Sequence, residues 1–310
     1  MKKISVLVPT FNEVGNVIPL SEAIVGQFRE HLQGYDYEIV FIDNDSKDGT
    51  RDNLRKICAA NPKIKAIFNA KNYGQFSSPY YGLLQATGDC VISMCADFQD
   101  PVELIPQYVK EWEAGHKIVL GQKTTSKESR TVYAMRSFYY RLLRKHSDVE
   151  FIEHVTGSGL YDREFIETLR KIDEPRPFLR GMVAEMGYNI KLVPYEQPKR
   201  RSGRSSNGLF GYYDAGMQGL TSYTKFGVRV AVFFGVLFTI ASLAVSLGLG
   251  IYKIFNWDTF DIMGYAFSMA IFIVVSLQLL FIGIVGEYVI NMNLQMKKRP
   301  LVIEAERINF

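Results

Sequence analysis

The sequence runs to 310 residues, room for one large domain or a domain with an appendage, and carries a formal net charge of +4 at pH 7. That charge is too small to mark a nucleic-acid-binding surface. The three cysteines, Cys58, Cys90 and Cys95, are odd in number and lack metal-ligand spacing, which excludes a disulfide framework and fits a reducing compartment.

Residues 4–8, Ile-Ser-Val-Leu-Val, form a short apolar run ending at Pro9 and read as a buried strand. The run is too short for a signal peptide and turns polar at once, so this part of the chain is expected in the cytosol. Helical spacing of Val17, Ile18, Leu20, Ile24, Val25 and Phe28 predicts a helix over 14–32. A second strand is expected at 37–42, a helix at 50–60, a third strand at 64–68, a helix at 79–87, a fourth strand at 90–95, a helix at 102–114 and a fifth strand at 117–120. Such alternation predicts an α/β domain with a mostly parallel sheet covered by helices on both faces. In these sheets ligands bind beyond the carboxyl ends of the strands. Polar clusters fall at those ends here: Thr10 to Glu13, Asp43 to Asp48, Asn69 to Gln75 and Asp97 to Asp100.

After about Arg229 charged residues nearly vanish until Glu287, apart from Lys253, Asp258 and Asp261. Residues 230–252 and 262–286 are apolar runs of about 23 and about 25 residues, and a bilayer core needs roughly 20 helical residues. Lys225 and Arg229 precede the first run, and Lys297, Lys298 and Arg299 follow the second. The positive-inside rule then predicts a two-helix hairpin with both termini cytoplasmic. Such lone spans are also able to pack with copies of the chain in a homo-oligomer. The segment just before them mixes apolar and aromatic residues with glycine. It reads equally as an amphipathic helix on the membrane surface or a linker helix packed on the domain. The resulting partition is 1–206 for the catalytic domain, 207–225 for the juxtamembrane segment, 226–290 for the two spans and 291–310 for a cytoplasmic tail.

No G-x-G-x-x-G and no P-loop occurs at a strand-to-helix junction, so a ligand must be held by carboxylates and amides. A diphosphate facing acidic groups calls for a divalent cation between them. Taken in order, the segments Val8-Pro9-Thr10-Phe11-Asn12-Glu13, Ile42 to Thr50, Asn72-Tyr73-Gly74, Gly88-Asp89, Ala96-Asp97-Phe98-Gln99-Asp100-Pro101 and Gly157 to Arg163 resemble family 2 glycosyltransferases. Within that family the chain is most similar to the polyprenyl-phosphate branch, the bactoprenol and dolichol-phosphate enzymes.

The resemblance implies a Rossmann-like GT-A nucleotide-sugar domain. It implies transfer of a hexose from a nucleoside diphosphate sugar, UDP-glucose or similar, to undecaprenyl phosphate for cell-envelope glycosylation, inverting and dependent on Mg²⁺ or Mn²⁺. Pro9, Thr10, Glu13, Asp43, Asp45, Asn72, Gly74, Ala96 and Asp97 are then expected at the nucleotide sugar, with Asp97 and Gln99 on the metal. Where the family usually has Asp-Ala-Asp-x-Gln, this chain has Cys95 at the first position, and Asn44 stands where relatives often have Asp. A thiol is a poor ligand for a hard cation. The anionic acceptor calls for cations, for which Lys123, Arg136, Arg180, Arg200, Arg201 and Arg204 are candidates, with Ser205 beside them. Arg200 lies in a basic loop resembling the one that closes over phosphates in the family and is expected to act in catalysis. The four histidines lie outside the motif segments, His154 nearest to one, and a phosphate monoester nucleophile needs little general-base help. A processive polysaccharide synthase would carry a Gln-x-x-Arg-Trp motif, which is absent. The non-enzymatic alternative is a degenerate transferase serving as a membrane scaffold or sugar-nucleotide-binding protein, prompted by Cys95.

Overall fold

Alternation along the first strand decides the layering of the domain. In a computed structural model of the chain, β1 (Lys3–Thr10) turns Ile4, Val6 and Val8 to one face and Leu7 to the other, all of them buried. The described residues are 1–125, 141, 143, 145–147, 149, 151–152, 155–198, 209–255, 260–297 and 299–310. After β1 follow α1 (Val17–His31), β2 (Asp36–Asp43), α2 (Thr50–Ala60), β3 (Ile64–Asn69), α3 (Gly74–Gln85), β4 (Cys90–Ser93), α4 (Leu104–Glu113) and β5 (Ile118–Thr125). Then come β6 (Val155–Asp162), α5 (Arg163–Ile172), α6 (Leu179–Glu185), β7 (Ile190–Glu196), α7 (Leu209–Tyr223), α8 (Phe226–Phe255), α9 (Phe260–Met296) and β8 (Glu304–Ile308).

The strands form one sheet in the order β7-β5-β6-β4-β1-β2-β3-β8. Its centre, β4-β1-β2-β3, is parallel, while β6 and β8 run antiparallel to their neighbours. The Ile4/Val6/Val8 face buries Leu20, Leu54 and Tyr108 from α1, α2 and α4; the Leu7 face buries Leu83, Phe165 and Met182 from α3, α5 and α6. Strand order reverses between β1 and β4, so their carboxyl ends diverge and leave a crevice there.

The expected helix at 79–87 begins earlier. The Asn72 Oδ1 accepts from Gly74 N at 2.8 Å and opens α3 at Gly74, with Pro79 inside the helix rather than at its start. The tail expected at 291–310 is also more than a tail, because β8 returns to the sheet and pairs with β3. Its sequence, Glu-Ala-Glu-Arg-Ile, has no apolar run to announce a strand. Ala70 N donates to Ile303 O, and Asn309 Nδ2 donates to the carbonyls of Cys58 and Ile64 at 2.8 Å each.

The segment expected at 207–225 contains a helix, α7, that packs on the domain. Leu220 and Tyr223 of α7 lie against a small core of Leu143, Phe151 and Phe178, and a side chain at Gly181 of α6 would overlap the Tyr223 ring. Beyond α7 the chain turns into α8 and α9, of 30 and 37 residues, which pack together with Gly227 beside Ile284 and Tyr288. Tyr288 donates to Thr224 O at 3.0 Å. Among the described residues one helical stretch, Ile273–Ile290, is long and apolar enough to cross a membrane, with none of it buried in the protein. Phe226–Phe238 in α8 is a shorter apolar stretch. Large apolar side chains such as Phe233, Phe255, Leu279 and Ile282 are exposed along both helices, which water alone does not favour.

At the sheet edge away from the crevice, Glu38 is buried between Lys3 and Lys65, each 2.8 Å from its carboxylate, and also accepts from Ser5 Oγ and Thr87 N. Burial alone would raise its pKa. The lysines and the other donors outweigh burial and hold the carboxyl down at about 2, against an ordinary value of 4.5. A carboxyl depressed in the folded state adds stability above pH 4.5, and that contribution fades as pH falls toward about 2. Glu38→Ala leaves two lysines without their counter-ion and is expected to cost about 3 kcal/mol at neutral pH. Denaturant titrations of wild type and variant should converge as the pH is lowered through that window.

Candidate active site

The crevice at the β1/β4 switch is a cleft of about 650 Å³. Pro9, Thr10 and Glu13 from the end of β1 and the loop after it, Asn72 and Gly74 from the β3–α3 loop and the start of α3, and Ala96 and Asp97 from the end of β4 line one part of it. All seven are among the residues expected at the nucleotide sugar. The opposite bank comes from Gly157 and Ser158, from the stretch Pro177 to Arg180, and from Asp214 and Gln218 of α7.

Loop geometry holds this edge together. Asn12, Asp45 and Phe98, one in each loop after β1, β2 and β4, have φ of 56°, 69° and 60°. For a residue as bulky as Phe98 this conformation is rare and costs energy, which surrounding contacts must overcome. Asn12 N donates to Ser46 Oγ at 2.8 Å and its Oδ1 accepts from Lys47 N at 2.9 Å, tying the first two loops to each other. Asp48 accepts from the backbone N of Thr50, the first residue of α2, and from Val14 N.

Two expected nucleoside ligands serve this framework in the structure. Asp43 is fully buried, accepts from Arg51 Nε at 2.6 Å and Ser46 N at 3.1 Å, and is not part of the cleft wall. Arg51 also donates to Asn69 O, so the pair binds β2, α2 and β3 to one another. Asp45 sits off the wall too, paired with Lys47 at 2.6 Å and Arg51 at 3.4 Å.

Asn44, the departure from a common Asp, has a structural reason here. Its Nδ2 donates to Asn72 Oδ1 at 2.9 Å and Gly74 O at 3.1 Å, and its Oδ1 accepts from Tyr73 N at 2.8 Å and Asn69 Nδ2 at 3.1 Å. A carboxylate has no protons to donate and could make only half of this set. The partners lie 25 to 30 residues away in the chain, so nothing local to Asn44 signals the network.

At the end of β4, Asp97 is buried and its Oδ1 accepts from Gln99 N at 3.1 Å. The Gln99 side chain is not on the cleft wall, and Gln99 contributes its backbone to Asp97. Asp100, a residue of the motif with no expected role of its own, accepts from Cys95 N at 3.0 Å and from the Tyr195 hydroxyl at 2.8 Å, which fixes the loop. The Cys95 thiol opens on the cleft. The Asp100 carboxylate, then burial, then Asp97 push its pKa upward from that of an ordinary thiol. Among the described residues no three His, Cys, Asp or Glu side chains converge as a metal cage. A phosphate-bound Mg²⁺ needs only one or two carboxylates, because phosphate oxygens and water complete its shell. Asp97 on the wall fits that arrangement, and the thiol does not add to it.

Of the expected cations, Lys123 is half-buried on β5, off the wall but close enough to Cys95 for its charge to be felt there. Arg136, Arg200, Arg201, Arg204 and Ser205 lie outside the described residues, as does His154. Asp214 and Gln218 were not anticipated. Their spacing of four on a helix was the available signal, and only the docking of α7 shows which way that face turns.

Residues 5–185 match the family model described as glycosyl transferase family 2. The chain belongs to that family. It is a glycosyltransferase, and the matched region spans β1 to α6, the part that builds most of the cleft. Similarity to individual relatives continues beyond it. The bactoprenol glucosyl transferase of Shigella phage SfX is 31% identical, covering 98% of this chain and 99% of its own length. A prophage bactoprenol glucosyl transferase homolog of Escherichia coli K12 is 30% identical, covering 97% and 98%. Likeness to solved structures is looser, as with glucosyl-3-phosphoglycerate synthase from Mycobacterium tuberculosis bound to UDP, at 17% identity and a TM-score of 0.47 over 71% of this chain and 78% of that one.

Asn44→Asp is expected to destabilise the β3–α3 loop by about 1–3 kcal/mol, since it turns two buried donations into repulsions. A lowered melting temperature together with weaker nucleotide binding checks this, and an unchanged melting temperature contradicts it.

Proposed function

We propose that the protein transfers a hexose from a nucleoside diphosphate sugar, UDP-glucose or a similar donor, to undecaprenyl phosphate at a bacterial inner membrane. The observation that carries this reading is the continuity of the cleft with the apolar helices. One bank is the end of β4 with Asp97, and the other includes α7, which passes into α8 after only Thr224 and Lys225. A soluble donor and a lipid acceptor would meet between those banks. The full-length likeness to bactoprenol glucosyl transferases, apolar helices included, supports the same acceptor class.

The topology supports an anchor of two spans. β1 and β8 belong to one sheet, so they lie on one side of any membrane, and the chain between them crosses an even number of times. If α9 crosses through Ile273–Ile290, α8 supplies the second crossing. Lys225 and Arg229 at one end of the hairpin and Lys297 and Arg299 at the other then face the cytoplasm together.

The donor would lie with its base toward Pro9, Thr10 and Glu13 and its diphosphate toward Asp97. A bound Mg²⁺ or Mn²⁺ supplies charge neutralisation for the departing nucleoside diphosphate. The residues of this chain orient the two substrates: Asn44 and Asn72 order the loop under the donor, and Asp100 fixes the backbone on which Asp97 stands. The acceptor phosphate monoester is already nucleophilic near neutral pH and attacks the anomeric carbon in line, giving a β-linked product from an α-linked donor.

The test is incubation of the full chain in liposomes with undecaprenyl phosphate, Mg²⁺ or Mn²⁺ and a panel of nucleotide sugars, with lipid products analysed by mass and anomeric configuration. One sugar is expected to appear as a β-linked polyprenyl phosphate. Asp97→Ala should lower turnover about 100-fold or more with the fold retained. An α-linked product refutes direct inversion, and full turnover in Asp97→Ala refutes the role given to that carboxylate.

A further inference from the structure

The described wall of the cleft carries four carboxylates, Glu13, Asp97, Asp100 and Asp214, and a single cationic side chain among the described residues, Arg180. Two substrates with phosphate groups have to meet there. The donor's diphosphate has the Asp97 end, where a divalent cation would stand between like charges. The acceptor's phosphate enters from the other end and needs a cation of its own, because a dianion beside Asp214 without one is repelled.

We infer that Arg180 holds the acceptor's phosphate. This deepens the reading that a polyprenyl phosphate is the acceptor, and rests on it. Three features favour the acceptor over the donor. Arg180 reaches the cleft from the segment after α5, outside the loops that follow β1 and β2, and its neighbours Phe178 and Leu179 add apolar lining beside it. This segment is fastened to the helix that leads into the apolar hairpin: Gln218 Nε2 of α7 donates to Arg176 O at 3.1 Å and Pro177 O at 3.4 Å. Gly181, the next residue, lies so close to Tyr223 at the end of α7 that no side chain fits. Arg180 therefore keeps its place relative to the point where the chain turns into α8. The chemistry also suits the residue, since a guanidinium presents two parallel N–H donors to a phosphate and stays charged at any physiological pH.

Arg180 is exposed on the cleft, so removing its side chain should leave the fold intact. The full chain, reconstituted in liposomes, is assayed as wild type, Arg180→Ala and Arg180→Lys. Acceptor KM is measured at saturating donor, and donor Kd is measured without acceptor. Arg180→Ala is expected to raise the KM for undecaprenyl phosphate on the order of 10- to 100-fold while leaving the donor Kd unchanged. Arg180→Lys should recover part of the loss, as a point charge without the fork. A shift in donor Kd with unchanged acceptor KM places Arg180 at the diphosphate and overturns the inference, as does no change in either. A wild type that transfers sugar to another acceptor but never to a polyprenyl phosphate overturns the underlying function, a failure seen in the wild type and not in the variants.

Discussion

Pairing of β8 with β3 is the constraint on which the rest of the architecture depends. It brings the chain back, after two long apolar helices, to the sheet from which it set out. The hairpin is thereby held at both roots. On the outgoing side α7 is locked by the Gly181–Tyr223 contact and the Gln218 hydrogen bonds; on the return side are the β8 ladder, the buried Val302 and the two bonds from Asn309. The Arg55–Glu306 ion pair at 2.7 Å adds little to this, because both side chains are substantially exposed. Backbone pairing and burial carry the attachment. A domain tethered by one flexible linker could turn its cleft in any direction, whereas one held at two roots cannot.

The same economy governs the acidic residues at the sheet edge. Many polar side chains near a cleft invite assignment to the ligand, yet several are committed to the backbone. Asp43 serves Arg51 and Ser46, Asp48 serves α2 and Val14, and Asp100 serves Cys95 and Tyr195. These bonds hold loops in which Asn12, Asp45 and Phe98 adopt positive φ. Strained loops at the strand ends are stable only while such anchors remain, so the framework carboxylates bear on the site through the loops they hold.

Much of this was legible in the sequence wherever the signal was local. The alternation of Ile4, Val6 and Val8 around Leu7 gave β1, and the run from Thr50 to Ala60 gave α2 with its boundaries. The polar clusters after each parallel strand marked the edge where the cleft lies. What stayed hidden depended on distant partners. Asn44 looked like a weakened ligand until its bonds to Asn69, Asn72, Tyr73 and Gly74 were seen. β8 is a charged alternation that pairs only because an edge of β3 is available. Pro79 suggested a helix start, but the Asn72 side chain had already opened the helix a turn and a half earlier. On the far side of the cleft Gly157, Ser158 and Arg180 were legible from a motif and a charge, whereas Asp214 and Gln218 were not, since their place depends on how α7 docks.

Cys95 shows how such a departure can be consistent with the site around it. A carboxylate in its place would stand among Asp97, Asp100 and the diphosphate of a bound donor, with one cation to balance them. Like charges at that spacing repel strongly in a partly enclosed cleft, and one of them would take up a proton to relieve the repulsion. A thiol adds no such charge, and the Asp100 carboxylate beside it raises its pKa further. With one negative charge fewer at the β4 end, less of the balance there falls to protein carboxylates and more to the donor's own phosphates. On the proposed reading, donor and acceptor anions would be separated along one cleft, the first against Asp97 and the second against Arg180, on the segment that α7 ties to the apolar helices.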